Sequence, residues 1–218
     1  GEHFLELCEE RDAGTSLIGL KDNLVELVDI HPEGTLLTIL AESELAGVHS
    51  DNIDQLERAR NFFQRATQRN ALLRTASESA WFGLYTTAMT LDVVHKKDRE
   101  ENQKLMLLAA DQIEPAWLRH EGNARGMVIP LFNMHQWKRV RPIIDRWVEL
   151  AESDREIEEA YWHLAVWHRY QENWIAVKRI CEKMKNLLPK EMKPRFSWSG
   201  LENRALQEIQ SIIQPNNQ

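Results

Sequence analysis

The chain has 218 residues, 43% of them hydrophobic, and a formal charge of −7. That length and apolar share suit a folded domain with a substantial core and exclude general disorder. The acidic balance argues against nucleic acid as the main partner, because phosphate contacts need clustered Lys and Arg.

No run approaches the roughly 18 apolar residues of a membrane helix, so no membrane insertion is expected. The stretch Gly1 to Asp12 lacks the basic start and long apolar core of a signal peptide. Location is left open, a cytoplasmic one slightly favoured over export after removal of a leader. The oligomeric state is left open. Strand signals are almost absent, and helical periodicity runs nearly throughout. Leu17, Leu20, Leu24, Leu27 and Val28 form the first stripe, ended by His31-Pro32-Glu33-Gly34. Leu36, Leu37, Leu40, Leu45 and Val48 predict a second helix, and Ile53, Leu56, Ala59, Phe63 and Ala66 a third. A fourth is expected from about Ser77 to Val94 and a fifth from Asp98 to Glu114. The sixth and seventh span Arg119 to Met134 and Trp137 to Glu152. Pro130 and Pro142 lie inside these two and are expected to kink or shorten them. Ser153 and Glu156 form a capping box for an eighth helix, Asp154 to Tyr170. The ninth runs from Asn173 to Leu188, and Ser199 with Glu202 starts a last one. Pro215-Asn216-Asn217-Gln218 reads as a frayed end. Short connections predict antiparallel hairpins.

Chemistry-bearing motifs are sparse. His163 and His168 are five residues apart, not the four that places two zinc ligands on one helix face. His120-Glu121 has no second His at the required spacing. Glu159 and His163 share a face, and that pair reads as a surface contact or a satisfied polar pair, not a ligand set. Gly122 and Gly126 follow no strand, so they read as close helix contacts or a flexible helix start, not as a phosphate loop. Lys138, Arg139 and Arg141 read as a solvated helix face. Cys181 is expected to be a buried free thiol, unpaired with distant Cys8. No catalytic residue, metal site or cofactor is assigned, and the chain is read as not an enzyme.

The segment Glu158 to Pro189 carries the most specific pattern. Tyr161 opens a helix, Leu164 and Ala165 follow, and Trp174 comes after the turn, then Val177, Cys181, Met184 and Pro189. Trp137 stands 37 residues before Trp174, at the same place after its turn. Trp81, Leu84 and Tyr85, with Leu107, Ala110 and Pro115, mark an earlier stretch, and Ala59, Phe63 and Ala66 another. These spacings resemble the tetratricopeptide repeat in a degenerate form. The resemblance implies an all-α fold, antiparallel helix hairpins stacked as a right-handed solenoid. Residues 1–34 would form an N-terminal segment and capping helix, residues 35–189 about four hairpins, and residues 190–218 a C-terminal capping helix and tail. An irregular helical bundle is the architectural alternative.

The resemblance also implies a role, binding a protein or peptide in a concave groove lined by the first helices of the hairpins. Carried over, that surface comprises Phe82, Thr86 and Met89, then Arg125, Ile129, Phe132 and Asn133, then Glu159, Trp162, His163, Val166 and Arg169. The Lys and Asn set with which some family members clamp a terminal carboxylate is missing. A ligand-sensing domain of a regulator is the alternative function, and an α-helical enzyme with an unrecognised site a third.

Overall fold

The computed structural model describes residues 33–45, 52–69 and 74–213. The expected helix from Thr15 to Ile30, Cys8, Val48 and the tail from Pro215 lie outside the described residues. Among the described residues the chain is all-helical, with no strand. It divides into two compact units, one ending at Glu114 and one beginning at Pro115. The run of hairpins expected over residues 35–189 spans this boundary.

In the first unit, α1 (Gly34–Leu45) packs on α2 (Ile53–Thr67) and on α3 (Arg74–Val93), and α3 packs on α4 (Arg99–Gln112). Every residue of α1 from Gly34 to Ala41 is buried, and Ser43 and Glu44 follow. A helix that is apolar nearly all round belongs inside a core. Two of its hydroxyls bond the helix's own backbone, Thr38 donating to the Gly34 carbonyl at 2.8 Å and Ser43 to that of Leu40 at 2.7 Å, while buried Glu44 pairs with Arg58 of α2. By contrast α2 is strongly amphipathic. It buries Leu56, Ala59, Phe63 and Ala66, and Asn52 caps its start by accepting from the Gln55 N–H. Phe63 reaches α3 at Gly83. A Cβ built there would lie 2.4 Å from Phe63 Cζ, so only glycine allows this approach. Buried Arg60 donates to the Asn102 side-chain oxygen at 2.7 Å, and Asn102 donates to the Lys97 carbonyl, tying α2 to the start of α4.

The second unit opens with a short 3-10 turn, Pro115–Trp117, which the periodicity does not announce. Then come α5 (Glu121–Asn133), α6 (Trp137–Leu150), α7 (Asp154–Tyr170), α8 (Trp174–Leu187) and α9 (Trp198–Ile213), each packed on the next, with α9 reaching α8 after a ten-residue connection, 188–197. Pro130 and Pro142 sit inside α5 and α6. Each lacks the N–H that would bond four residues back, yet α6 continues to Leu150, while α5 ends three residues beyond its proline. The Ser153–Glu156 capping box is fully formed at α7. The start of α9 falls earlier than the Ser199–Glu202 reading. The Leu201 N–H bonds the Ser197 carbonyl, so Trp198 is already helical, and Glu202 pairs with Lys185 on α8. Glycines 122 and 126 make no close helix contact, since a Cβ at either would meet no atom within 4 Å.

Two hairpin turns of this unit match residue for residue. At α5–α6, His135 adopts a left-handed conformation (φ 57), and the Gln136 N–H bonds the Leu131 carbonyl at 2.9 Å. At α7–α8, Glu172 does the same (φ 54), and the Asn173 N–H bonds the His168 carbonyl at 2.9 Å. The N–H groups of His135 and Glu172 complete the pattern by bonding the carbonyls of Phe132 and Arg169. This is the Schellman closure of a helix end. Trp137 and Trp174 then open the second helix of each hairpin. Beyond them Val140, Ile143, Ile144 and Trp147 are buried on α6, and Val177, Ile180, Cys181 and Met184 at the same offsets on α8.

Candidate functional site

Of the twelve groove candidates, Phe82, Thr86 and Met89 lie on α3 of the first unit, all half-buried. The Thr86 hydroxyl donates back to the Phe82 carbonyl at 3.1 Å. The other nine lie on α5 and α7 of the second unit, and none is fully buried.

Two contacts join α5 to α7 directly. Arg125 Nε donates to Glu159 Oε1 at 2.8 Å, and the rings of Phe132 and His163 meet edge to face at 5.7 Å. Their spacing of seven and four residues keeps each pair on one helix face. Between and beside them Ile129, Asn133 and Arg169 are exposed, and Val166 is half-buried. Arg169 makes no side-chain hydrogen bond or ion pair among the described residues. At one end of this face Trp137 stacks on Tyr170, centroids 4.2 Å apart, and its carbonyl accepts from Trp167 Nε1 at 2.8 Å. Tyr170 is exposed and was not among the candidates, although it lies one helical turn beyond Val166.

Trp162 is placed differently from an open groove wall. Its ring stacks on Phe196 at 4.7 Å and meets Trp198 edge-on at 5.3 Å, so the chain's own connection covers it. It packs against the core formed by Val177, Cys181, Met184, Trp198 and Leu201. Fully buried Glu158 anchors that connection. Its Oε1 accepts from the backbone N–H groups of Arg195 (2.8 Å) and Phe196 (3.3 Å) and from Trp198 Nε1 (3.3 Å), while Oε2 takes Arg155 at 3.3 Å. Three of its four donors lie more than 35 residues further along the chain, so no local pattern identifies them.

Two histidines are electrostatically constrained. His163 Nδ1 lies 2.8 Å from the Glu159 carbonyl, which only accepts, so the proton sits on Nδ1 and Nε2 is left as an acceptor. Burial between Phe132 and Trp147 pushes its pKa below the usual value, partly countered by that carbonyl. His168 Nε2 faces Arg141 Nη1 at 3.1 Å and must accept from it. Burial, then the guanidinium, lowers its pKa as well. Arg141 also holds Asp145 through both carboxylate oxygens and lies 4.7 Å over the Trp167 ring.

A hollow of about 350 Å³ lies beside this region, lined by Arg119, His120, Glu121, Glu149, Glu152 and Glu156 among others. Its carboxylates are partly committed: Glu156 accepts from the Ser153 and Glu152 N–H groups, and Glu149 pairs with Arg146. Among the described residues no group of three His, Cys, Asp or Glu is arranged to hold a metal ion. Cys181 is a free, buried thiol whose pKa burial pushes up to about 11. No described helix is long and apolar enough to cross a membrane. Compared with models of known protein families, with curated proteins and with solved structures, the chain matches none.

Proposed function

We propose that the chain is a protein-interaction module of tetratricopeptide-like hairpins, and that its second unit binds an extended segment of a partner on the outer face of α5 and α7. One observation carries the reading. Two successive hairpins repeat the same turn, the same opening tryptophan and the same buried positions at an offset of 37 residues, with their first helices cross-linked side by side. Hairpins related in this way stack as a solenoid, and stacked first helices form a continuous surface. That surface here mixes exposed Arg125, Arg169 and Asn133 with apolar Ile129, Val166 and Tyr170. Arginine and aromatic side chains contribute most to binding because they desolvate much area at modest entropy cost. The catalytic alternatives have no matching observation in their favour.

The test is site-specific photo-cross-linking. A benzoylphenylalanine at Val166 should trap a defined protein, whereas the same probe at exposed Glu182 on α8 should not. Equal trapping from both positions, or none from Val166, counts against the α5–α7 face.

A further inference from the structure

We infer that the α5–α7 face selects an acidic segment, in which an Asp or Glu sits beside an apolar or aromatic side chain. This rests on the peptide-binding reading above and names the partner's chemistry. The observation is an unbalanced charge cluster. Two guanidinium groups from different elements, Arg125 of α5 and Arg195 of the connection before α9, converge on one carboxylate, Glu159 of α7. Arg125 spends only its Nε there, at 2.8 Å, and Arg195 Nη1 stands at 3.9 Å, beyond hydrogen-bond distance. The neighbouring carboxylate, Glu158, supplies no further compensation. It is buried and occupied by Arg155, two backbone N–H groups and Trp198.

The cluster therefore carries a surplus positive charge on a chain whose net charge is −7. Both arginines keep about half of their side-chain surface, 48% and 59%, in solvent. A guanidinium fork matches a carboxylate through paired N–H···O bonds. Beside the cluster lies the Trp162–Phe196 stack: Phe196 follows Arg195 directly, and Trp162 is one turn after Glu159. Both rings are half-buried, leaving an apolar edge next to the cations. A carboxylate two arginines share, adjacent to an aromatic edge, is recognised by an acidic residue next to an apolar one. A nucleic-acid strand meets the same guanidinium groups, but a single surplus cation offers too few phosphate contacts to hold a polyanion.

The experiment pans a phage-displayed library of random dodecapeptides against the full chain. Enriched sequences are synthesised, and their affinity is measured by fluorescence anisotropy. The expected consensus contains Asp or Glu within two residues of a Trp, Phe, Tyr or Leu. Arg125→Ala and Arg195→Ala, on exposed side chains, should each weaken binding at least about tenfold, and the loss should shrink as salt is raised. Lys138→Ala, an exposed cation on α6, should leave affinity within about twofold. Far-UV circular dichroism of each variant checks that it is folded, and Arg125→Gln serves where alanine perturbs α5. Enrichment of neutral or basic peptides overturns the inference and leaves the peptide-binding reading standing. So does equal weakening by Lys138→Ala, or tighter binding of a twelve-nucleotide single strand than of acidic peptides. Failure to enrich any peptide removes the peptide-binding reading and the inference with it.

Discussion

Two helical glycines of this chain have opposite consequences, and only the surroundings tell them apart. Gly83 faces the Phe63 ring so closely that a Cβ would overlap Cζ at 2.4 Å. Gly83→Ala should therefore destabilise the first unit by about 1–3 kcal/mol, as overpacking does. Phe63→Ala should cost about 3–5 kcal/mol, because the ring is 2% exposed and leaves a cavity. Gly126 lies in mid-α5 with no atom near its missing Cβ, so Gly126→Ala should stabilise by about 0.5–1 kcal/mol. Urea midpoints at constant slope measure all three, and a stabilising Gly83→Ala would refute the close approach. Histidine 163 supplies a second residue-scale test. Its folded pKa is lowered from the ordinary 6.5, chiefly by burial. The unfolded chain then binds more protons, so stability rises with pH through this range. The contribution is complete above about 6.5 and lost as pH falls toward the folded value. The carboxylates with lowered pKa, Glu156 and Glu100, act in a separate window below about 4.5. Between pH 7.5 and 5.5 the wild-type urea midpoint should fall, and His163→Gln should fall less. An identical fall in both would place His163 in solvent.

At the scale of elements, most helices were legible and their ends less so. The stripe Ile53, Leu56, Ala59, Phe63 and Ala66 marks α2 because one face is buried and the other is not. The Ser153–Glu156 box marks α7 because both of its hydrogen bonds are local. Local patterns did not reveal that α1 is buried nearly all round, since its Thr and Ser residues read as polar until their bonds to the helix's own carbonyls are seen. The spacing of Trp137 and Trp174 marked the two turns as related but not their geometry, because His135 and Glu172 hold the left-handed position usually given to glycine. That conformation costs a non-glycine residue about 1 kcal/mol. His135→Gly and Glu172→Gly should each raise stability by about 0.5–1 kcal/mol and add in the double variant. Loss of stability in either would show that the native side chain contributes more than its backbone strain. The candidate site was legible only in part. Arg125, Ile129, Phe132, Val166 and Arg169 fall on the α5–α7 face by helical spacing. The cover over Trp162 did not, because Phe196 reaches it through a connection with no periodicity and is held by Glu158 across the fold. Glu158→Ala should free that connection at a cost of about 3 kcal/mol, since four donors lose their acceptor. Hydrogen exchange at the Arg195 and Phe196 amides should accelerate markedly more than at α6. Unchanged exchange there would mean the connection is held by the Trp162–Phe196 stack alone.

For the whole molecule, the division between Glu114 and Pro115 changes what the chain's stability means. A single solenoid melts as neighbours lose neighbours, whereas two units with their own cores can unfold separately. The second unit carries what an independent domain needs. Ala165, Val177, Ile180, Cys181, Met184, Trp198, Leu201 and Ala205 form a contiguous buried cluster between α7, α8 and α9. Val128, Leu131, Val140, Ile144 and Trp147 are buried at the other end, on α5 and α6. About a hundred residues suffice for a stable single core when the buried side chains are this large. Fully buried Glu158 is engaged by four donors, and half-buried Arg146 donates its Nε to the Leu118 carbonyl at 3.0 Å. Residues 115–218 expressed alone should therefore be helical by far-UV circular dichroism and unfold in one cooperative transition. Tryptophan fluorescence should follow the same curve, because Trp147 is fully buried and Trp198 nearly so. In the full chain, Phe63→Ala should then lower the transition of the first unit and leave that of residues 115–218 in place. A fragment that is unfolded, or a full chain in which Phe63→Ala shifts every probe equally, would show that the two units fold as one.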